Sequence, residues 1–248
     1  MPSQLVCRPE RDLPVAVLTI SGTLDRITGD ALGAAVRRSL SSLPEKLLLD
    51  VERLHVSDPL ALTTLGAVVC QTAEFPAVPI VVCGADRPTR DALAGSAACA
   101  GLELADDCGD ALDHALEPAR PPVPRIRVRL RPVPEACRQV RNLVSQACAA
   151  WHRADVTATA TLVATELVAN VVRHAHTTMR FTFELRGNRL IMAVRDGSLR
   201  MPRTLDPAVT DAGGRGLRLV RDLTDAWGVL PVSDGKVVWT QLTTGAAA

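Results

Sequence analysis

Glu166 and Asn170 stand four residues apart in Thr165-Glu166-Leu167-Val168-Ala169-Asn170-Val171-Val172-Arg173-His174-Ala175. In a helix that spacing puts an acid and a carboxamide on one face, about 6 Å apart along the axis. The carboxylate can accept a proton or order a water. The amide oxygen can bind Mg2+, a hard cation that takes oxygen ligands. The same pair would also suit a solvated helix face, so the rest of the chain must decide. Two glycine signals lie further along the chain. Val194-Arg195-Asp196-Gly197-Ser198 reads as a strand ending in an acid and a glycine. A carboxylate there can accept from an exocyclic amine such as that of adenine, although Asp-Gly alone is first a turn signal. Gly213-Gly214-Arg215-Gly216-Leu217 then opens a helix. Free backbone N–H groups and the helix dipole favour an anion at such a point, phosphate above all. No Gly-Lys-Ser/Thr comes after it, so this is not a Walker loop.

These residues need elements to hold them. The second half reads as a strand at Ile126–Leu130 and helices at Glu135–Ala150 and Asp155–His174, the latter with Asp155 as N-cap. Strands at Arg180–Leu185 and Leu190–Arg195 form a hairpin through Gly187-Asn188. A helix near Gly216–Leu223 and strands at Ala226–Val232 and Lys236–Leu242, joined by Asp234-Gly235, complete the pattern. Helices and antiparallel strands segregate, which predicts an α+β two-layer sandwich.

The first half alternates instead. Strand signals at Val15–Ile20, Leu47–Val51, Pro79–Cys83 and Leu102–Leu104 interleave with helical stretches at Thr28–Leu40, Leu60–Val69, Pro88–Ala94 and Asp107–Leu116. That predicts an α/β layer with a mostly parallel sheet. The proline cluster in Glu117-Pro118-Ala119-Arg120-Pro121-Pro122-Val123-Pro124 reads as a stiff linker. The predicted organisation is therefore 1–117, linker 118–124, and 125–248.

Charge changes sign at the same place. Residues 1–117 carry 9 basic and 17 acidic side chains, net −8; residues 118–248 carry 19 and 10, net +9. Complementary fields suggest halves that could dock on each other. No basic patch interleaved with aromatics occurs, which argues against nucleic acid. Only Lys46 and Lys236 are lysines; every other basic residue is arginine. The cysteine count of 7 is odd and lacks Cys-x-x-Cys spacing, which predicts buried structural thiols in a reducing compartment. No signal peptide and no unbroken apolar run of membrane length is visible, so the expectation is a cytoplasmic protein without a membrane partner.

In order and spacing, the motifs of the second half resemble the GHKL ATPase superfamily with its Bergerat fold, and within it the anti-sigma-factor serine/threonine kinases. The resemblance covers about Arg125 to Thr243. Glu166-x-x-x-Asn170-x-x-x-His174-Ala175 looks like the N-box, Asp196-Gly197-Ser198 the first glycine box, and Gly214-Arg215-Gly216-Leu217 the second. Gly235-Lys236-Val237-Val238-Trp239-Thr240 looks like the terminal strand. The resemblance implies ATP and Mg2+ as ligands. Asp196, with Gly197, would hold adenine, Asn170 would coordinate Mg2+, and Glu166 would be the general base toward a partner's serine. Gly214, Arg215, Gly216 and Leu217 would meet the phosphates, and Leu199–Gly213 would form a lid. Arg200 and Arg203 read as surface charge with a secondary chance of steadying phosphate. His174 could touch a phosphate but reads first as a packing or hydrogen-bonding residue, and His176 as surface.

Asp50-Val51-Glu52-Arg53-Leu54-His55-Val56-Ser57-Asp58-Pro59-Leu60-Ala61 resembles the signature region of STAS domains (sulfate transporter and anti-sigma factor antagonist). Antagonists of that family carry Asp-Ser-Ser-Gly where this chain has Asp58-Pro59-Leu60-Ala61. The acceptor serine is gone, and Ser57, Thr63 and Thr64 are poor substitutes. The resemblances imply a regulatory serine kinase acting by partner switching on a sigma factor or an antagonist protein. The alternative is an ATP-binding scaffold that regulates by binding alone; a standalone ATPase is a third reading. The resembled kinases are commonly dimers, which makes a homodimer an expectation too.

Overall fold

The computed structural model describes residues 4–11, 13–73, 78–100, 102–117, 123–202 and 215–245. The chain divides into two compact units, Met1–Pro121 and Pro122–Ala248. Residues 118–122 of the proline cluster lie outside the described residues.

The first unit runs β1 (Leu5–Arg11), β2 (Val15–Leu24), α1 (Gly29–Leu40), β3 (Lys46–Val56), α2 (Leu62–Ala73), β4 (Ile80–Cys83), α3 (Arg87–Gly95), β5 (Glu103–Ala105) and α4 (Cys108–Leu116). Its five strands lie in the order β1-β2-β3-β4-β5. β1 pairs antiparallel with β2; the other pairings are parallel. Parallel neighbours need a crossover, and α1, α2 and α3 supply them. All four residues of β4 are buried, as a strand covered on both faces requires. α1 buries Leu32, Val36 and Leu40, one position per turn. α4 packs Ala111, Leu112, Ala115 and Leu116 against Val15, Leu48 and Val81.

Two findings correct the sequence reading here. β1 was not anticipated; its residues are at most half-buried, and Arg8, Pro9, Glu10 and Arg11 populate it. Charge and proline are how an edge strand avoids further pairing, and they erase the strand pattern. Cys83 and Cys108 are not free thiols but a disulfide, with Cα atoms 5.0 Å apart. The first residue of α4 lies over the end of β4, within the span a disulfide bridges. Cys7, Cys137 and Cys148 are free thiols.

The second unit runs β6 (Arg125–Leu130), α5 (Glu135–Ala150), α6 (Thr157–Asn170), β7 (Met179–Arg186), β8 (Arg189–Asp196), α7 (Arg215–Leu223), β9 (Ala226–Val232) and β10 (Gly235–Thr243). The sheet order is β6-β7-β8-β10-β9, antiparallel throughout. One core joins Val140 and Val144 of α5, Val163 and Leu167 of α6, Phe181 and Phe183 of β7 and Met192 of β8. Trp151 stacks on Phe183 with ring centroids 4.9 Å apart. Burying each Phe contributes about 1.5–3 kcal/mol, and this core fixes the helices over the sheet.

The helix expected at Asp155–His174 is three pieces. A 3-10 turn covers Ala154–Val156, α6 begins at Thr157, and Val171–Ala175 widens into a π-turn. Asp155 does not cap α6: its carboxylate accepts from the Gly245 N–H at 2.9 Å. The π-turn closes at His176, left-handed with φ 53°, whose N–H donates to the Val171 carbonyl at 2.9 Å. Taken whole, Ala154–Ala175 has the length and mean hydropathy, 1.2, of a membrane-crossing helix. Its apolar residues Ala160, Val163, Ala164, Leu167 and Val168 belong to the core.

Candidate nucleotide site

α6 and α7 meet at a glycine. A Cβ built on Gly216 would lie 2.6 Å from Glu166 Oε2 and 3.5 Å from Asn170 Oδ1. With no side chain at 216, the start of α7 comes this close without displacing the Glu166 carboxylate. Glu166 is also approached by Arg173, whose Nη2 lies 3.4 Å from Oε2. The Asn170 Nδ2 atom is buried and has no hydrogen-bond partner among the described residues. An orphaned buried amide costs about 1–3 kcal/mol, a penalty that an oxygen-rich ligand would remove.

Beside this contact lies a cavity of about 890 Å³, within the range that holds a ligand of nucleotide size. Asn170, Arg173, His174 and His176 line it from the helix end; Asp196, Ser198, Arg200 and Met201 continue β8 into it; Leu217, Lys236 and Val238 close it. The π-turn matters here. An extra residue in the turn rotates the residues after it about the helix axis, and His174 and His176 are exposed yet border the cavity. The surface assignment of His176 is thus half the picture, and Arg200 is likewise an exposed residue at the rim.

The floor is polar and buried. Asp196 ends β8 with its side chain 1% exposed. Its Oδ1 accepts from the Ser198 N–H at 2.7 Å and from Lys236 Nζ at 2.9 Å. Lys236 Nζ donates also to the Ser198 carbonyl at 2.9 Å. Register creates this pair: Lys236 sits directly across from Asp196 in the β10–β8 ladder. The preceding turn is drawn tight by Gly235, at φ 147°, where any Cβ would collide with the Asp196 carbonyl. The Gly197 N–H donates to Thr177 Oγ1 at 3.0 Å. A Cβ on Gly197 would meet Thr177 at an ordinary 3.6 Å, so packing does not itself demand glycine there.

Gly214, Arg203 and most of Leu199–Gly213 lie outside the described residues. Arg215 is the first residue of α7. Among the described residues no group of three or more His, Cys, Asp or Glu is arranged to hold a metal. A cation here would need oxygens from Asn170 and from a ligand together, the manner in which Mg2+ is commonly held. Asn170 Oδ1 supplies such an oxygen, whereas its orphaned Nδ2 is a donor suited to a ligand's own oxygen. Sequence reasoning passed over Lys236, Arg173 and Thr177 as site residues. The signal for Lys236 was present: it is the only lysine after residue 46 in a chain that otherwise uses arginine.

The thiol nearest the site belongs to Cys137 on α5. Burial raises it above the ordinary range, opposed by the positive charges of Arg173 and Arg141.

The first unit offers a contrast. Asp58 accepts from Arg26 Nε at 2.8 Å and from the Leu60 N–H at 2.9 Å. Ser57 donates to the Leu24 carbonyl at 3.2 Å and Thr63 to the Leu60 carbonyl at 2.5 Å. Ile27 and Leu60 are 84% and 56% exposed beside this loop.

Residues 130–242 match the family model described as the histidine kinase-like ATPase domain. No curated protein matches the chain significantly. Among solved structures, the RsbU and RsbW domains of Rv1364c from Mycobacterium tuberculosis are similar at 18% identity and TM-score 0.40, over 50% of this chain and 34% of that one. This chain therefore spans about a third of that protein. An anti-sigma factor antagonist from Mycobacterium paratuberculosis is similar at 21% identity and TM-score 0.40, over 46% of this chain and 96% of that one. The antagonist SpoIIAA in its unphosphorylated form gives 15% identity and TM-score 0.36, over 45% and 96%. Likenesses this distant carry no functional argument. What the family match carries is narrower: the stretch of the second unit similar to the histidine kinase-like ATPase domain includes Glu166, Asn170, Asp196 and Gly216.

Proposed function

We propose that the second unit binds ATP with Mg2+ in this cavity and transfers the terminal phosphoryl group to a serine of an antagonist-type partner protein, so regulating a sigma factor. The observation that carries the reading is the meeting of Glu166, Asn170 and Gly216 beside a cavity that Asn170 and Asp196 both line. Asp196 accepts the adenine amino group, with Gly197 beside it. Asn170 offers its amide oxygen to Mg2+, which when bound neutralises phosphate charge. Gly216 and Leu217, with Gly214 and Arg215 before them, line the phosphate path, where the N-terminus of α7 favours an anion. Glu166 accepts the proton of the partner's serine hydroxyl. That oxygen forms the new bond to the terminal phosphorus, the bridging P–O bond breaks, and ADP leaves. Arg173 holds Glu166 in place until the partner arrives.

Incubation with terminally labelled ATP, Mg2+ and candidate antagonist proteins tests this. Label on a partner serine, lost in Glu166→Ala while nucleotide still binds, is the expected result. Binding without transfer to any partner contradicts it and favours the scaffold reading. That second reading is favoured by the Arg173 contact, which occupies the proposed base.

The first unit is proposed as a STAS-like module that keeps the family's aspartate as Asp58 but has Pro59 and Leu60 at the two serine positions. It would serve as a docking module for another protein or as a fixed partner of the second unit in cis. Its charge is opposite to that of the second half, so affinity between separated halves should be strongest at low salt. Cytoplasmic location and a homodimer belong to the same proposal; sedimentation of the full chain tests the latter.

A further inference from the structure

A lysine stands at the floor of the cavity in a chain with one other lysine, Lys46, and both its side chain and the aspartate it faces are buried. The Lys236 and Asp196 side chains are 7% and 1% exposed. Taking an ammonium out of water is unfavourable unless its protons are used. Two are: Nζ donates to Asp196 Oδ1 and to the Ser198 carbonyl, each at 2.9 Å. An ammonium has three. The third N–H belongs to a residue that lines the cavity. The carboxylate is used in a matching way. Among the described residues, both hydrogen bonds to Asp196 land on Oδ1, which leaves Oδ2 as the oxygen for a ligand. An acceptor and a charged donor are therefore set side by side at the floor. Arginine could not replace this arrangement, because its planar fork spreads five donors over a wider front. The placement is enforced by the backbone too: Gly235, at φ 147°, presses the β9–β10 turn onto the Asp196 carbonyl.

We infer that Lys236 is a base-reading residue of the nucleotide site, donating to ring nitrogen N1 of a 6-aminopurine whose amino group is held by Asp196. The inference rests on the adenine assignment under Proposed function and adds the donor that discriminates. Adenine presents an amino donor next to an N1 acceptor, matching carboxylate next to ammonium. Guanine in the same pose presents a carbonyl to the carboxylate and an N1–H to the ammonium, so both contacts become repulsive. Lys236 thus acts as much by rejecting guanine as by attracting adenine.

Calorimetric titration of the full chain with ATP, 1-deaza-ATP, 7-deaza-ATP and GTP tests it, on the native protein and on Lys236→Met. In 1-deaza-ATP a C–H replaces N1. The native protein should bind ATP at least about tenfold more tightly than 1-deaza-ATP, the scale of a lost bond to a charged donor, and 7-deaza-ATP within about twofold of ATP. In Lys236→Met the preference for ATP over 1-deaza-ATP should shrink to about twofold, through weaker ATP binding. If that variant does not fold, Asp196→Asn combined with Lys236→Met removes the stranded charge, and it too should fail to distinguish ATP from 1-deaza-ATP. A native protein that binds both equally overturns the role of Lys236 while leaving ATP binding intact. A preference that survives in the variants overturns it as well, since another group then reads N1. No binding of any of the four nucleotides overturns the adenine reading itself, and this inference with it.

Discussion

The two units treat the polar groups at the ends of their elements in opposite ways. In the first unit the loop before α2 satisfies itself. Asp58 takes Arg26 and the Leu60 N–H, Ser57 reaches the Leu24 carbonyl, and Thr63 reaches back to Leu60. The Arg26–Asp58 pair is open to water, its side chains 71% and 29% exposed. In the second unit the polar groups are carried inward and left incomplete. Asp196 and Lys236 share a buried bond with capacity to spare, and Asn170 Nδ2 has no partner among the described residues. A self-satisfied loop can dock but has nothing to offer a small ligand. Incomplete, buried polarity beside a cavity costs stability and is worth keeping only where a ligand completes it. Sheet type underlies the difference. A parallel sheet needs its crossover helices to span it, and β4 shows both faces covered. The antiparallel sheet of the second unit connects by hairpins at β7–β8 and β9–β10, which releases α6 and α7 to frame a cavity beside Asp196.

This contrast can be broken by substitution. The largest effect should come from Glu166→Ala, lowering phosphoryl transfer to a partner by about 10²–10⁴-fold with nucleotide affinity nearly unchanged; steady-state transfer and calorimetry read the two separately. Asp196→Ala strands a buried ammonium and should destabilise the second unit by about 3–5 kcal/mol, measured by urea unfolding. Its counterpart Asp58→Ala loses an exposed ion pair and the bond from the Leu60 N–H, and should cost the first unit about 1–2 kcal/mol. If the two aspartates cost the same, the distinction between closed and incomplete polarity fails. Reducing the Cys83–Cys108 disulfide, which spans 25 residues, should lower the stability of the first unit by about 3 kcal/mol and leave nucleotide affinity alone. The smallest stability change is expected for Gly216→Ala. The added methyl meets the tip of Glu166, a group able to swing away, so unfolding should move by under about 1 kcal/mol. Transfer should nonetheless fall about tenfold or more, because the displaced carboxylate is the proposed base.

Which features the sequence discloses and which it conceals depends on the range of the interactions involved. Glu166, Asn170, Asp196 and Gly216 were legible because helix period, strand end and helix start are local properties. The alternation of the first half was legible for the same reason. The Lys236–Asp196 pair spans 40 residues and exists only through the β10–β8 register. The Cys83–Cys108 disulfide depends on where α4 lands on the sheet. β1 was hidden because edge-strand residues carry charge and proline instead of an apolar pattern. The π-turn after Asn170 has no sequence signature at all, yet it decides that His174 and His176 border the cavity.

Hydrogen exchange of the full chain, with and without ATP and Mg2+, tests the central claim most directly. The account predicts slowed exchange in Glu166–His176, Asp196–Pro202 and the first turn of α7, with the first unit unchanged. Unchanged exchange throughout at saturating nucleotide, or protection confined to the first unit, would contradict it.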